Sequence, residues 1–193
     1  MKSLNENIFH QYNKWKKNYV RKENSIEIRV NEFLDGNPFY KDYISISEDG
    51  TRVNCSVSIV IYDEMLINGK FPFTFGEVDG NFVCSVCDEL ISLEGAPKEI
   101  DGNFESDKCP KLTSLKGAPE KVGGDFDCSH CENLTSLEGA PKEVSEFFDC
   151  TYCPNLTSLE HLPKKIGGVL RVDKRFEGKI PSDVKIIMGI QYY

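Results

Sequence analysis

The apolar positions of this chain recur at a fixed interval. Written in blocks of 22 residues, positions 90–111 read LISLEGAPKEIDGNFESDKCPK. Positions 112–133 read LTSLKGAPEKVGGDFDCSHCEN, and 134–155 read LTSLEGAPKEVSEFFDCTYCPN. A further block opens with LTSLEHLPKKIGGVLRV at 156, and residues 68–89 fit the same register. One apolar column holds Leu90, Leu112, Leu134 and Leu156, and the next holds Phe71, Leu93, Leu115, Leu137 and Leu159. Another holds Val78, Ile100, Val122, Val144 and Ile166, and a fourth holds Phe82, Phe104, Phe126, Phe148 and Leu170. Columns of this kind mark a solenoid, in which each coil buries the same positions against its neighbours. The interval is too short for a pair of helices per coil.

The flanks carry other patterns. Residues 25–30 (SIEIRV) and Tyr43–Ser47 alternate between apolar and polar, as half-buried strands do. A Glu-Asp-Gly turn at 48–50 separates the latter from the strand-rich run 51–62, which is a hairpin signal. Residues 25–67 therefore read as a β-rich N-terminal cap, residues 68–172 as the solenoid, and residues 173–193 as a C-terminal cap. The last would cover the final coil with Ile180, Val184, Ile186 and Ile187. Before all of these, Ile8, Tyr12, Trp15 and Tyr19 fall on one face of a candidate helix over residues 3–21. That face packs on the cap, binds a partner, or sets a basic-aromatic contact on nucleic acid.

The repeat resembles a leucine-rich repeat of the form LxxLxLxxCxxLxxL. Phe126 and Cys128 match its inward strand positions, Cys131 its ladder position, and Leu134 and Leu137 the two that follow. The first leucine falls on Gly123, which departs from the pattern, with Val122 one place earlier. The phrase LTSLEGAP followed by a Gly-Gly or Asp-Gly step is similar to leucine-rich-repeat proteins of bacteriophages and bacteria. The resemblance covers residues 68–172. It implies a β-rich solenoid with parallel strands on the concave face, near 81–84, 103–106, 125–128, 147–150 and 169–172. It also implies little helix on the convex side, which would be extended or a brief 3₁₀ turn, with an α+β cap at the N-terminus. A phage-encoded protein of this kind would act on a host factor in the host cytoplasm.

Charge changes the picture. The net charge is -8, but residues 1–24 hold six Lys/Arg against two Glu. A basic arm thus precedes a strongly acidic body, which repels phosphate and suits a basic protein surface. The opening residues lack the apolar run of an export signal, and no segment is apolar enough to span a bilayer, so a cytoplasmic location is expected.

Chemistry narrows next to the cysteines. The pairs Cys84/Cys87, Cys128/Cys131 and Cys150/Cys153 have the spacing of zinc knuckles. In the other coils the pair becomes Ser106/Cys109 and Val172/Arg175, which a metal site would not tolerate and a small core slot would. The expectation is buried free thiols with no bound metal or cofactor, against zinc, a redox pair or a cross-coil disulfide as alternatives.

The candidate surface is the outward side of the concave strands. Alternation places Asn81, Val83, Asn103, Glu105, Asp125, Asp127, Phe147, Asp149, Val169 and Arg171 there, with His130 and Tyr152 just beyond. Glu105, Asp125, Asp127 and Asp149 would form a negative stripe and Phe147 an aromatic anchor, and Tyr152 and Arg171 complete the expected protein-binding face. A solvated charged face is the plain alternative. The three histidines form no nucleophile or metal motif, and there is no phosphate-cradling loop, so neither enzymatic activity nor a small-molecule substrate is expected. The competing reading is a nucleic-acid contact through the basic arm, with the solenoid as scaffold.

Overall fold

The computed structural model describes residues 25–193; the candidate helix over residues 3–21 lies outside them. In chain order the elements are α1 (Ile26–Gly36), β1 (Ile44–Ile46), β2 (Val53–Cys55), β3 (Ile59–Val60), β4 (Phe75–Val78), β5 (Phe82–Val83), β6 (Glu99–Ile100), β7 (Phe104–Glu105), β8 (Lys121–Val122) and β9 (Phe126–Asp127). They continue with β10 (Glu143–Val144), β11 (Phe148–Asp149), β12 (Lys165–Ile166), β13 (Val169–Val172), β14 (Lys185–Ile186) and β15 (Gly189–Tyr192). Short 3₁₀ turns span Pro38–Asp42, Asp63–Met65 and Lys174–Phe176.

The chain winds into a β-solenoid of parallel coils. One sheet has seven strands in the order β15-β13-β11-β9-β7-β5-β3, and a second has five, β14-β12-β10-β8-β6. The 22-residue spacing puts identical columns in register, so Phe104 pairs with Phe82 and Phe126, and Phe126 with Phe148. Those four rings are fully buried and stack face to face, 5.2–5.4 Å apart. The leucine columns lie beside them, also excluded from solvent. Burial at every repeat is the source of stability, since each coil covers the apolar face of the one before.

One expectation is corrected and two are refined. The segment two or three residues before each strand of the first sheet from β7 onward is extended, as expected, and forms a hydrogen-bonded sheet of its own around the column Ile100, Val122, Val144 and Ile166. Residues 26–30 are helical, not extended. Ser25 caps α1 by accepting the Ile28 amide at 3.4 Å, and Val30 and Phe33 are buried. The alternation of Ile26, Ile28 and Val30 masked a helical face through Val30 and Phe33. Residues 173–193 cover the final coil with Ile180, Val184 and Ile186, while Ile187 is exposed. They add a coil, with β14 paired to β12 and β15 to β13. Its strands follow at 20 residues, Lys165 to Lys185, which breaks the 22-residue phase in the sequence.

The expected hairpin is present, β1 pairing antiparallel with β2. The seven-stranded sheet also reaches into the segment read as a cap, and β1, β2 and β4 form a third, three-stranded sheet at that end. β3 pairs in parallel with β5, and β2 with β4. At that end, Phe33 packs edge-on against Phe73 at 5.3 Å, and the Arg29 guanidinium donates to the Pro72 carbonyl.

Candidate acidic face

The seven-stranded sheet presents two outward columns. The first runs Ser58, Asn81, Asn103, Asp125, Phe147, and its side chains are occupied by a ladder. Ser58 Oγ accepts the Asn81 amide, Asn81 Oδ1 the Asn103 amide, Asn103 Oδ1 the Asp125 amide and Asp125 Oδ1 the Phe147 amide, each at 2.9 Å. A Cβ at Gly124 would lie 2.2 Å from Asn103 Oδ1, so the second glycine of that turn makes room for the ladder. Asp125, expected as part of a binding stripe, spends one oxygen on this bond. Phe147 ends the ladder and carries the Arg171 guanidinium 4.4 Å from its ring centre.

The second column runs Val83, Glu105, Asp127, Asp149, Arg171 and Gln191, each half-buried or exposed and each opposite the next. Glu105, Asp127 and Asp149 thus stack on three neighbouring strands, about 4.8 Å apart. Like charges facing each other across a ladder repel. Burial, and after it the charges of Asp149 and Asp107, push the Asp127 carboxyl above its ordinary value, although the Ser129 amide and hydroxyl pull the other way. Asp127 Oδ1 accepts the Ser129 amide at 2.8 Å and Asp149 Oδ1 the Thr151 amide at 3.0 Å. Arg171, 3.6 Å from Asp149, forms the one ion pair with the column among the described residues, and the Lys108 ammonium, paired with Asp107, also feels the Asp127 charge.

Beyond the strands, each coil turns through a left-handed residue: Val86, Lys108, His130 and Tyr152, with φ of 53–57°. Their side chains project outward. Tyr152 stacks on His130 at 4.5 Å and stands 6.4 Å from the ring of Tyr193. The structure therefore brings Glu105, Asp127, Asp149 and Arg171 into one column, sets Asp125 and Phe147 beside it, and puts Tyr152 on the adjoining turn. Sequence reasoning missed Asp107, whose carboxylate adjoins this column. Burial works against its charge, but the Lys108 ammonium holds it below the ordinary value. The Ser-Asp-Lys-Cys turn at 106–109 aligned Asp107 with Ser129 and Thr151, and so carried the signal.

On the adjoining second sheet the charges alternate as far as Lys165, which Lys185 follows. The outward column of the second sheet reads Glu99, Lys121, Glu143, Lys165, and Lys121 reaches Glu99 at 3.9 Å while Lys165 pairs with Glu143. Lys142 pairs with Glu120 and Lys164 with Asp183. On the flanking turns Lys70 meets Glu94, Lys111 meets Glu89 and Lys116 meets Glu138. These lysines hold Glu120 and Glu143 below the ordinary carboxylate range.

The eight cysteines are buried and reduced. The second thiol of each pair donates back to a carbonyl of the preceding coil: Cys87 to Ile61, Cys109 to Cys84, Cys131 to Ser106 and Cys153 to Cys128, at 3.1–3.4 Å. Burial pushes the Cys87 and Cys153 thiols up to about 12 and those of Cys84, Cys128 and Cys150 well above the usual range. Among the described residues no group of three or more His, Cys, Asp or Glu side chains is placed to hold a metal ion. No helix among them is long and apolar enough to cross a membrane.

Fold and site together define a parallel β-solenoid with coils of about 22 residues and one acidic face. No protein-family model, curated protein or solved structure matches the chain.

Proposed function

We propose that this solenoid is a leucine-rich-repeat-type interaction module, without catalytic activity, that works in the cytoplasm and takes a basic partner protein on its acidic face. The observation that carries the reading is the in-register stack of Glu105, Asp127 and Asp149, which has no lysine between its members. A folded domain gains nothing from such a stack. A partner's Lys or Arg side chains inserted along it would remove the repulsion and steer encounter. Arg171, held by Phe147 and Asp149, closes the column at one end and would fix the partner's register. Tyr152 and His130 offer an aromatic rim of the kind that anchors interfaces.

The test is affinity capture from native cells with the wild-type chain and a variant carrying Glu105→Gln, Asp127→Asn and Asp149→Asn. The amides keep the acceptors for the Ser129 and Thr151 amides and remove only charge. A basic protein retained by the wild type should be lost by the variant, and released by salt. A control with Glu99→Gln, Glu120→Gln and Glu143→Gln on the second sheet should retain it. Equal retention by both variants would reject the face.

A further inference from the structure

The two ends of the seven-stranded sheet are finished differently. Along the sheet, amides of one coil donate to carbonyls of the next: Phe82 to Asn103, Phe104 to Asp125, Phe126 to Phe147, and likewise Cys84 to Glu105, Ser106 to Asp127, Cys128 to Asp149 and Cys150 to Arg171. Ile190 and Tyr192 stand in register with Leu170 and Val172, the next members of those two rows. Their amides therefore point forward, where no strand follows β15 among the described residues. At the opposite end the backward-pointing amide of Val60 is closed by the Tyr40 hydroxyl at 3.0 Å.

The open end is also apolar. Ile166 and Leu170 of the preceding coil are fully buried, whereas Ile186 and Ile190, paired with them in the last coil, are half-exposed. Ile187, Met188 and Tyr193 are more than half exposed. Residues 186–193 (IIMGIQYY) carry no charge, so the edge lacks the charged residues that usually guard a free strand. Around it the charge reverses. Residues 164–193 hold seven Lys/Arg against three Asp/Glu, while residues 25–163 hold ten against twenty-six.

We infer that β15 is a docking edge that takes an extended segment of another protein, with alternating apolar and acidic residues, as the next strand of the sheet. The forward-pointing amides of Ile190 and Tyr192 supply the ladder, the half-exposed Ile186 and Ile190 receive the apolar side chains, and Lys174, Lys179 and Lys185 complement the acidic ones. A second copy of this chain fits less well, because it would bring the same positive end against this one. The inference stands apart from the acidic stack of Glu105, Asp127 and Asp149, which lies on other coils.

The probe is a fluorescein-labelled peptide, Asp-Val-Glu-Ile-Asp-Val-Glu, titrated with the full chain and read by anisotropy, beside its counterpart with lysine at every acidic position. The acidic peptide should bind saturably and the lysine peptide at least tenfold more weakly. Tyr192→Pro deletes one forward amide and leaves the bonds to β13, which come from Gln191 and Tyr193, so it should weaken the acidic peptide at least tenfold; Tyr192→Phe should not. In the wild type, hydrogen exchange at the Ile190 and Tyr192 amides should slow when the peptide is added, a reading that needs no variant to fold. No slowing, or equal binding of both peptides, overturns the inference. So does a dimer in sedimentation that Tyr192→Pro dissolves, since a second copy would then be the occupant.

Discussion

The two sheets are built from the same coils on one core, and they treat charge in opposite ways. On the second sheet the column alternates through Glu99, Lys121, Glu143 and Lys165 before ending on a second lysine, Lys185, so each carboxylate meets an ammonium from the neighbouring coil. On the seven-stranded sheet the matching column repeats its sign through Glu105, Asp127 and Asp149. Register is the same in both, so the difference lies in the side chains placed on it. Alternation satisfies the surface internally. Repetition leaves a field that Arg171 meets at one end, and the proposed binding surface rests on that contrast more than on the acidity of the whole chain.

The comparison can be broken at its base. Phe126 lies between Phe104 and Phe148 in the core that both sheets share. Phe126→Ala should cost about 3–5 kcal/mol in urea unfolding. Hydrogen exchange should rise in strands of both sheets together, and loosening confined to one sheet would mean that the two faces do not share a core. A smaller effect sharpens the contrast. Asp127→Asn keeps the bond to the Ser129 amide and removes the middle charge of the stack, so it should stabilise the chain by up to about 1 kcal/mol at pH 7. Because the folded carboxyl titrates above its unfolded value, its cost appears as pH rises from the unfolded value through the folded one and is absent in acid. The gain from asparagine should therefore vanish below about pH 3. The smallest effect belongs to the other face: Glu143→Gln breaks an exposed pair and should move Tm by less than about 2 °C.

Much of this was legible in the sequence, because a repeat converts spacing into position. The phenylalanine and leucine columns, the buried cysteines and the outward place of Glu105, Asp127 and Asp149 all follow from one 22-residue phase. Register alone did not disclose the second sheet. Two-residue strands such as Lys121–Val122 are too short to alternate, and a single apolar residue per coil reads as a turn contact. The last coil was hidden by its 20-residue spacing. α1 was hidden because Ile26, Ile28 and Val30 satisfy a period of two before Phe33 completes the helical face. At the candidate site, the ladder that engages Asp125 was not visible, since an outward side chain and a backbone-bonded one look alike in a column of letters.

The contrast between the faces is tested most directly by following the carboxyl carbons through a pH titration by NMR. Asp127 should titrate above the ordinary Asp value of 3.8, while Glu120 and Glu143 should titrate below the ordinary Glu value of 4.5 in the same sample. An Asp127 that ionises at or below 3.8 would contradict an uncompensated acidic stack on the seven-stranded sheet.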